Sequence, residues 1–458
     1  MYQKVNALID SYRDEYVETL RRWVNVPSVR DTPAENAPFG REVRRMLDTA
    51  MEDARKLGFP VRDFDGYACD ITLGDAEEKI AVLGHLDVVP VGDGWTRPPF
   101  EGVTENGRMY GRGTNDDKGP ALAALYAMRA IRDAGIPLRR SIRMILGCDE
   151  ESNWEDMEYY GRHEQIPATG FSPDAMFPLI NTEKGMILLE LRAPAAKDGL
   201  KILEFATGSR HNVIPGECSA LVEGGEELAE EVRKYAEETG LPYTAEVTDQ
   251  GVRLTAVGIP GHAAYPKTKR NAIGMMLLLL DRLGARGPIG TLAAAVGLEW
   301  DGRSLGCACR DEVSEELTCN MGILRLEKGE WYGTLDFRCP VTADLDGLIQ
   351  SAAAHLPGIR VTVETRKPAH HVPAESELVQ CLLAAYNEVT GEKGQPLSTG
   401  GGTYAKILKQ GVAFGALFPD EEDLAHQADE YTAIDNMIRA AKIFAGALIR
   451  LCAGKENG

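Results

Sequence analysis

Little in this sequence would carry the chain into a membrane or onto nucleic acid. Its most apolar run, Ile273 to Leu280, is far too short to span a bilayer. The N-terminal stretch MYQKVNALIDSYRDEYVETLRRW carries acids throughout and lacks the apolar core of a signal peptide, so a cytoplasmic location is expected. Basic residues are outnumbered, 50 against 70 acidic. The resulting formal charge of −20 argues against nucleic acid or anionic membrane as a partner. No short-period repeat or low-complexity segment stands out. A CxxC pair with metal-binding spacing is also missing. The nine cysteines (Cys69, Cys148, Cys218, Cys307, Cys309, Cys319, Cys339, Cys381 and Cys452) are scattered and odd in number, which reads as reduced thiols and not as a disulfide framework. Cys307 and Cys309 form a CxC that could take a metal.

What is present describes a soluble globular chain of two domains: 458 residues, 44% hydrophobic and 26% charged. Strands and helices alternate in the first third. Lys79–Val89 is an apolar strand ending in polar residues, Gly119–Ala134 a helix, and Ser141–Cys148 a second buried strand stopping at Asp149-Glu150-Glu151. Such alternation predicts an α/β domain with a largely parallel sheet, whose chemistry gathers beyond the carboxyl ends of the strands. The middle of the chain reads as α+β. Strands are expected at Met186–Arg192, Lys201–Thr207, Glu217–Val222, Glu316–Glu327, Glu330–Arg338 and Ile359–Glu364. A hairpin-type pair joins Thr244–Thr248 to Gly251–Gly258, and helices fall at Glu227–Thr239, Asn271–Leu283 and Leu345–His355. From Ser376 the α/β pattern returns, with a helix to Val389, a strand Val412–Phe418 and a final helix Tyr431–Leu451. The organisation expected is a catalytic domain of residues 1–184 and 374–458, interrupted by an inserted unit of residues 185–373.

Five segments carry candidate chemistry. In Gly84-His85-Leu86-Asp87 the His and Asp lie two apart on an extended backbone and face the same side. His85 can ligate a metal while Asp87 takes the proton of the other ring nitrogen; a core histidine beside a solvated aspartate fits the same four residues. Gly111-Arg112-Gly113-Thr114-Asn115-Asp116-Asp117-Lys118-Gly119 is a tight turn with two adjacent acids. Burying both would call for a compensating cation, although an exposed acidic turn is the alternative. Asp149-Glu150-Glu151-Ser152 sets three acids at the end of an apolar strand, as expected if one is a ligand and another a general base, or else as a solvated loop. Asp174 in SPD and His426 in AHQADEY are weak signals singly.

In this order, GHLDVVP, GRGTNDDKG, DEES, SPD and AHQADEY resemble the metallopeptidase M20 family, most closely its bacterial dipeptidase branch of the PepV or Sapep type. GDGWTRPPF at Gly92–Phe100 and GGGTYAKILKQGVAFGALFPD at Gly400–Asp420 look like the same branch, so the resemblance covers essentially the whole chain. It implies a two-domain α/β architecture: a phosphorylase/hydrolase-like catalytic domain with an inserted α+β, ferredoxin-like lid. It also implies two divalent ions, usually zinc, with manganese or cobalt in relatives. His85 and Asp174 would hold one ion, Glu151 and His426 the other, and Asp116 would bridge them. Glu150 would be the general base, Asp87 the partner of His85, and His262 in GHAAYP a donor to the tetrahedral oxyanion. Asn212, Arg338 and the turn Gly401, Gly402, Thr403 resemble substrate contacts, although Arg338 also fits a structural salt bridge. Lys406 stands where relatives often carry Arg, which leaves carboxylate recognition at that position open.

The activity so implied is hydrolysis of Xaa-Yaa dipeptides by metal-activated water, in a monomer or homodimer. The same framework also serves aminoacylases and deacetylases acting on N-acyl amino acids, and a binding protein without activity is the further alternative. Retention of Glu150 argues against the last, since a pure metal site does not need it.

Overall fold

The computed structural model describes residues 1–453. They divide into two compact units. The first comprises Met1–Asn181, His371–Leu397 and the chain from Gly402 onward; the second comprises Thr182–His370 and Ser398–Gly401. Among the described residues no helix is long and apolar enough to cross a membrane.

The first unit is built on a mixed sheet whose strands run in the order Val61–Phe64, Ala68–Leu73, Ser141–Gly147, Lys79–His85, Thr169–Ser172 and Gln410–Ala413. The last four are mutually parallel, and the first two add antiparallel to one side. Ser141–Gly147 is buried at every position, and Lys79–His85 at all but the first. That burial explains why both read as continuous apolar runs, because a parallel sheet covered on both faces leaves no solvent side to alternate towards. Helix Lys118–Asp133, rich in Ala and Leu, is buried along nearly its whole length. It packs against the C-terminal helix Ile434–Cys452. Pro120 sits in its first turn, where a missing N–H costs nothing.

Two expected elements start or stop elsewhere. The run Val412–Phe418 is not one strand: Gln410–Ala413 belongs to the main sheet, whereas Ala416–Leu417 pairs with Ala175–Met176. Between them Gly415 takes a positive φ of 77°, which interrupts extended backbone. The last helix begins at Ile434 and not at Tyr431, because Tyr431–Ala433 is a strand paired with Arg108–Tyr110. Aromatic and β-branched residues at Tyr431 and Thr432 suit that pairing.

The second unit is an eight-stranded sheet, antiparallel throughout, in the order Tyr243–Thr248, Gly251–Val257, Glu217–Val222, Ile202–Thr207, Thr318–Glu327, Glu330–Cys339, Gly185–Pro194 and Arg360–Lys367. Helices Glu226–Thr239, Ala272–Arg282 and Leu345–Ala354 stand where the pattern put them. The helix Pro288–Ala295 was not foreseen, since its GPIGTLAAA carries no polar face to give it a helical period.

Candidate metal centre

Three neighbouring parallel strands of the first unit end on one edge of the sheet, and each delivers polar side chains there. His85 closes the strand Lys79–His85, Glu150 and Glu151 follow Ser141–Gly147, and Asp174 follows Thr169–Ser172. The GRGTNDDKG turn brings in Asp116 just ahead of helix Lys118–Asp133. Gly113 has φ of 88°, and a Cβ on Gly119 would run into the Thr114 carbonyl, so glycine is required at both positions. His426 arrives on the AHQADEY loop before the strand Tyr431–Ala433.

These five residues form two donor groups, His85 with Asp116 and Asp174, and Asp116 with Glu151 and His426, the donor atoms of each within 4.8 Å of one another. Asp116 belongs to both, one oxygen to each. Its Oδ1 lies 3.0 Å from His85 Nε2 and its Oδ2 3.0 Å from His426 Nε2. His85 Nε2 is 3.6 Å from Asp174 Oδ2, and His426 Nε2 is 2.9 Å from Glu151 Oε1. His85 is buried, whereas the His426 side chain is 42% exposed.

The electrostatics ask for a cation. His85 Nδ1 lies 2.9 Å from the Asp87 main-chain oxygen, which can only accept, so Nδ1 carries a proton and Nε2 faces the carboxylates. Without a cation, the surrounding carboxylates favour a second proton on each imidazole. Burial lowers the His85 pKa, but hydrogen bonding to Asp116 and Asp87 and the charge of Asp174 outweigh it and hold it well above the usual imidazole range. At His426 burial is likewise outweighed, by Asp116 and Glu151, and the pKa is pushed up to about 11. The carboxylates crowd one another. Burial and then the Asp116 charge push Asp174 up to about 7, and burial with the Asp174 charge raises Glu150 well above its usual range. Burial also raises Asp116, yet the two histidines reverse the direction and hold it low. Divalent ions would relieve all of these at once, and imidazole with carboxylate is a donor set suited to them.

The three acids of DEES meet different fates. Asp149 is buried and pairs with Arg30. Glu151 joins the second donor group. The Glu150 side chain makes no hydrogen bond among the described residues, while its backbone N–H is held by Asp87. The expectation for Asp87 is met only in part. Its main-chain oxygen, not its carboxylate, is the nearer partner of His85 Nδ1, with Oδ1 at 3.5 Å. The carboxylate is engaged elsewhere, accepting the N–H of Glu150 at 3.2 Å and of Glu151 at 3.1 Å. Asp117, beside Asp116, accepts the His85 backbone N–H at 3.1 Å and lies in neither donor group.

Two buried carboxylates went unforeseen. Asp156 accepts the N–H groups of Cys148 at 2.6 Å and Asp149 at 2.9 Å, and the Tyr404 hydroxyl donates to it. Glu430 accepts from the backbone of Gly113, Asn115 and Asp116. Neither has a local signal; only for Glu430 does adjacency to His426 offer a hint. Trp95 packs beneath Arg112 with its Nε1 donating to the Val91 carbonyl.

The remaining candidates are distributed between the units. In the second, Gly261–His262 pairs with Val213–Ile214, and the Asn212 carbonyl accepts the Ala263 N–H at 2.8 Å. The Ala264 N–H donates to His262 Nδ1 at 3.2 Å, which puts the ring proton on Nε2. Arg338 is buried, with its fork on Asp336 at 2.7 and 2.9 Å and Nη1 on the Gly400 carbonyl at 2.7 Å. Gly401 donates to Thr399 Oγ1 at 3.1 Å in the same unit. Gly402 and Thr403 belong to the first unit, where Thr403 Oγ1 accepts the Ala405 N–H. Lys406 lies on the short helical turn Tyr404–Ile407 there.

A sheet edge with two donor groups sharing one carboxylate has the makings of a metal centre, and residues 81–450 match the peptidase family M20/M25/M40. The chain belongs to that family and is a metallopeptidase. It is 38% identical to YtjP of Bacillus subtilis (strain 168), which carries a provisional dipeptidase name, across 96% of this chain and 97% of that protein. It is 30% identical to the beta-Ala-Xaa dipeptidase of Lactobacillus delbrueckii subsp. lactis across 98% of both. Among solved structures, human carnosine dipeptidase 1 superposes with a TM-score of 0.63 at 17% identity, and Dug1p of Saccharomyces cerevisiae, titled a di-peptidase, with 0.62 at 15%, each covering 98% of both chains. At such identities these two establish the shared fold alone.

Proposed function

We propose that the protein is a cytoplasmic two-metal dipeptidase that hydrolyses the single peptide bond of Xaa-Yaa substrates. The observation that carries this reading is the Asp116 carboxylate standing between two imidazoles, 3.0 Å from each. The dipeptidase names of relatives that align along nearly the whole chain support the substrate class. Divalent ions held by His85, Asp116, Asp174, Glu151 and His426, zinc first and manganese or cobalt as alternatives, would supply Lewis acidity towards the scissile carbonyl and acidify water.

The chain's own groups do the rest. Glu150, whose carboxyl is raised by burial and by the Asp174 charge, is suited to take a proton from the attacking water and return it to the leaving amine. Asp87 keeps Glu150 in place through its backbone N–H and orients His85. The second unit acts as the lid in this reading. His262, with its proton on Nε2, donates to the tetrahedral oxyanion, and Asn212 adds a polar contact beside it. Arg338 and the turn Gly401, Gly402, Thr403 receive the substrate carboxylate; Arg338 does so from a fork already oriented by Asp336. The second unit, Thr182–His370 with Ser398–Gly401, is largely one continuous stretch inside the first, which supports reading it as an inserted lid. Either a monomer or a homodimer accommodates it.

A panel of dipeptides, tripeptides and N-acyl amino acids, assayed on protein reconstituted with zinc or manganese, tests the reading. Dipeptides should be the preferred class. Dominant activity on N-acyl amino acids would make the protein an aminoacylase, and metal analysis finding no bound ion would remove the two-metal site.

A further inference from the structure

We propose that Glu430 is a positioning residue that fixes the Asp116 turn to the His426 loop and so sets the separation of the shared carboxylate from the second imidazole. The inference rests on the two-metal reading. Glu430 is fully buried, and Oε1 gathers three backbone N–H groups of one turn: Gly113 at 2.9 Å, Asn115 at 3.0 Å and Asp116 at 3.3 Å. Oε2 takes Arg112 Nη1 at 2.6 Å, and the Glu430 carbonyl accepts the Gly111 N–H at 2.9 Å. One residue therefore holds the turn at five points, from Gly111 to Asp116.

The other end of the link is equally short. His426 lies four residues before Glu430, in a loop held compact by positive φ at His426 (65°) and Asp429 (57°). Asp429 anchors that loop separately, accepting from the Thr96 N–H at 2.9 Å and the Thr96 hydroxyl at 2.6 Å. Arg112 is buried with Glu430 and donates to the Val91 carbonyl at 3.3 Å, so the ion pair is seated in the same wall. A rotation of the Asp116 backbone would turn Oδ1 and Oδ2 away from their two imidazoles. The three N–H bonds to Glu430 oppose that rotation. A carboxylate is needed because every partner is a donor; a glutamine would turn an amine towards either Arg112 or the backbone N–H groups.

The test compares wild type, Glu430→Gln and the double variant Arg112→Leu, Glu430→Leu. The double variant removes both charges together, so neither is stranded in the interior. Zinc stoichiometry and affinity are read by chelator competition, thermal melts of metal-free protein report folding, and kcat and KM are measured with a dipeptide. Positioning predicts a zinc affinity about 10–100-fold weaker in both variants, with kcat falling more than KM rises. A folded double variant with wild-type zinc affinity and wild-type kcat overturns the inference and leaves a merely structural ion pair. Should the double variant fail to fold, Glu430→Gln decides alone: wild-type affinity there overturns the inference, and weakened affinity with a metal-free melt like wild type supports it. Wild-type protein that takes up no zinc overturns the two-metal reading itself, and this inference with it.

Discussion

Asp87 accepts the backbone N–H of Glu150 at 3.2 Å, binding the end of one strand to the loop that follows its neighbour. Its second oxygen holds Glu151 at 3.1 Å, so one carboxylate registers both the proposed base and a proposed ligand. Asp87→Asn keeps the shape but turns an amine towards one of the two N–H donors. We expect kcat/KM to fall about 10–100-fold, with the chain still folded by circular dichroism. Unchanged kinetics would show that the clamp has no bearing on the site.

Glu150→Ala removes the proposed base and leaves every member of both donor groups in place. Bound metal should stay at the wild-type ratio while kcat drops about 10²–10⁴-fold. Metal content by elemental analysis and initial rates on a dipeptide check the two halves separately. Full activity with both ions bound would assign the base elsewhere.

Removing metal should affect folding as well as rate. Ions that bind only the assembled donor groups stabilise the folded state by mass action. A chelator should therefore abolish hydrolysis and lower the melting temperature, and added zinc or manganese should restore both. A melting curve indifferent to chelator would argue that the two groups hold nothing.

Tyr404 and Asp156 offer a test of the structure that backs the site, since the Tyr404 ring stands edge-on to His85. The Tyr404 hydroxyl donates to Asp156, whose carboxylate also carries the N–H groups of Cys148 and Asp149. Tyr404→Phe leaves a buried carboxylate short of one donor and should cost about 1–3 kcal/mol. Urea denaturation followed by tryptophan fluorescence measures this. A variant as stable as wild type would mean that Asp156 keeps itself satisfied through its N–H partners.

Much of the site was legible because it is written at strand ends. His85, Glu150 and Glu151 follow apolar runs, and parallel strands of one sheet finish on the same edge, so the GHLD and DEES motifs converge; Asp174 joins them from the short strand Thr169–Ser172, which the sequence pattern did not show. Asp116 was separable from Asp117 only through the spacing of a resembled motif, and the structure gives the two side chains different surroundings: Asp116 faces both imidazoles, and Asp117 takes the His85 N–H. The strand Val412–Phe418 was misread because hydropathy does not register a glycine with positive φ inside an apolar run.

The sequence by itself marked which donor side chains stand at the ends of elements, since apolar period and position at element ends are local properties of the chain. It also determined the family, through motifs whose order is linear. Only the tertiary structure decided what steadies those residues. Asp156 reaches Cys148 from the following helix, and Glu430 reaches Asp116 across 314 positions. Both act mostly on backbone N–H groups, which every residue but proline owns, so side-chain spacing carries little sign of them beyond the adjacency of Glu430 to His426.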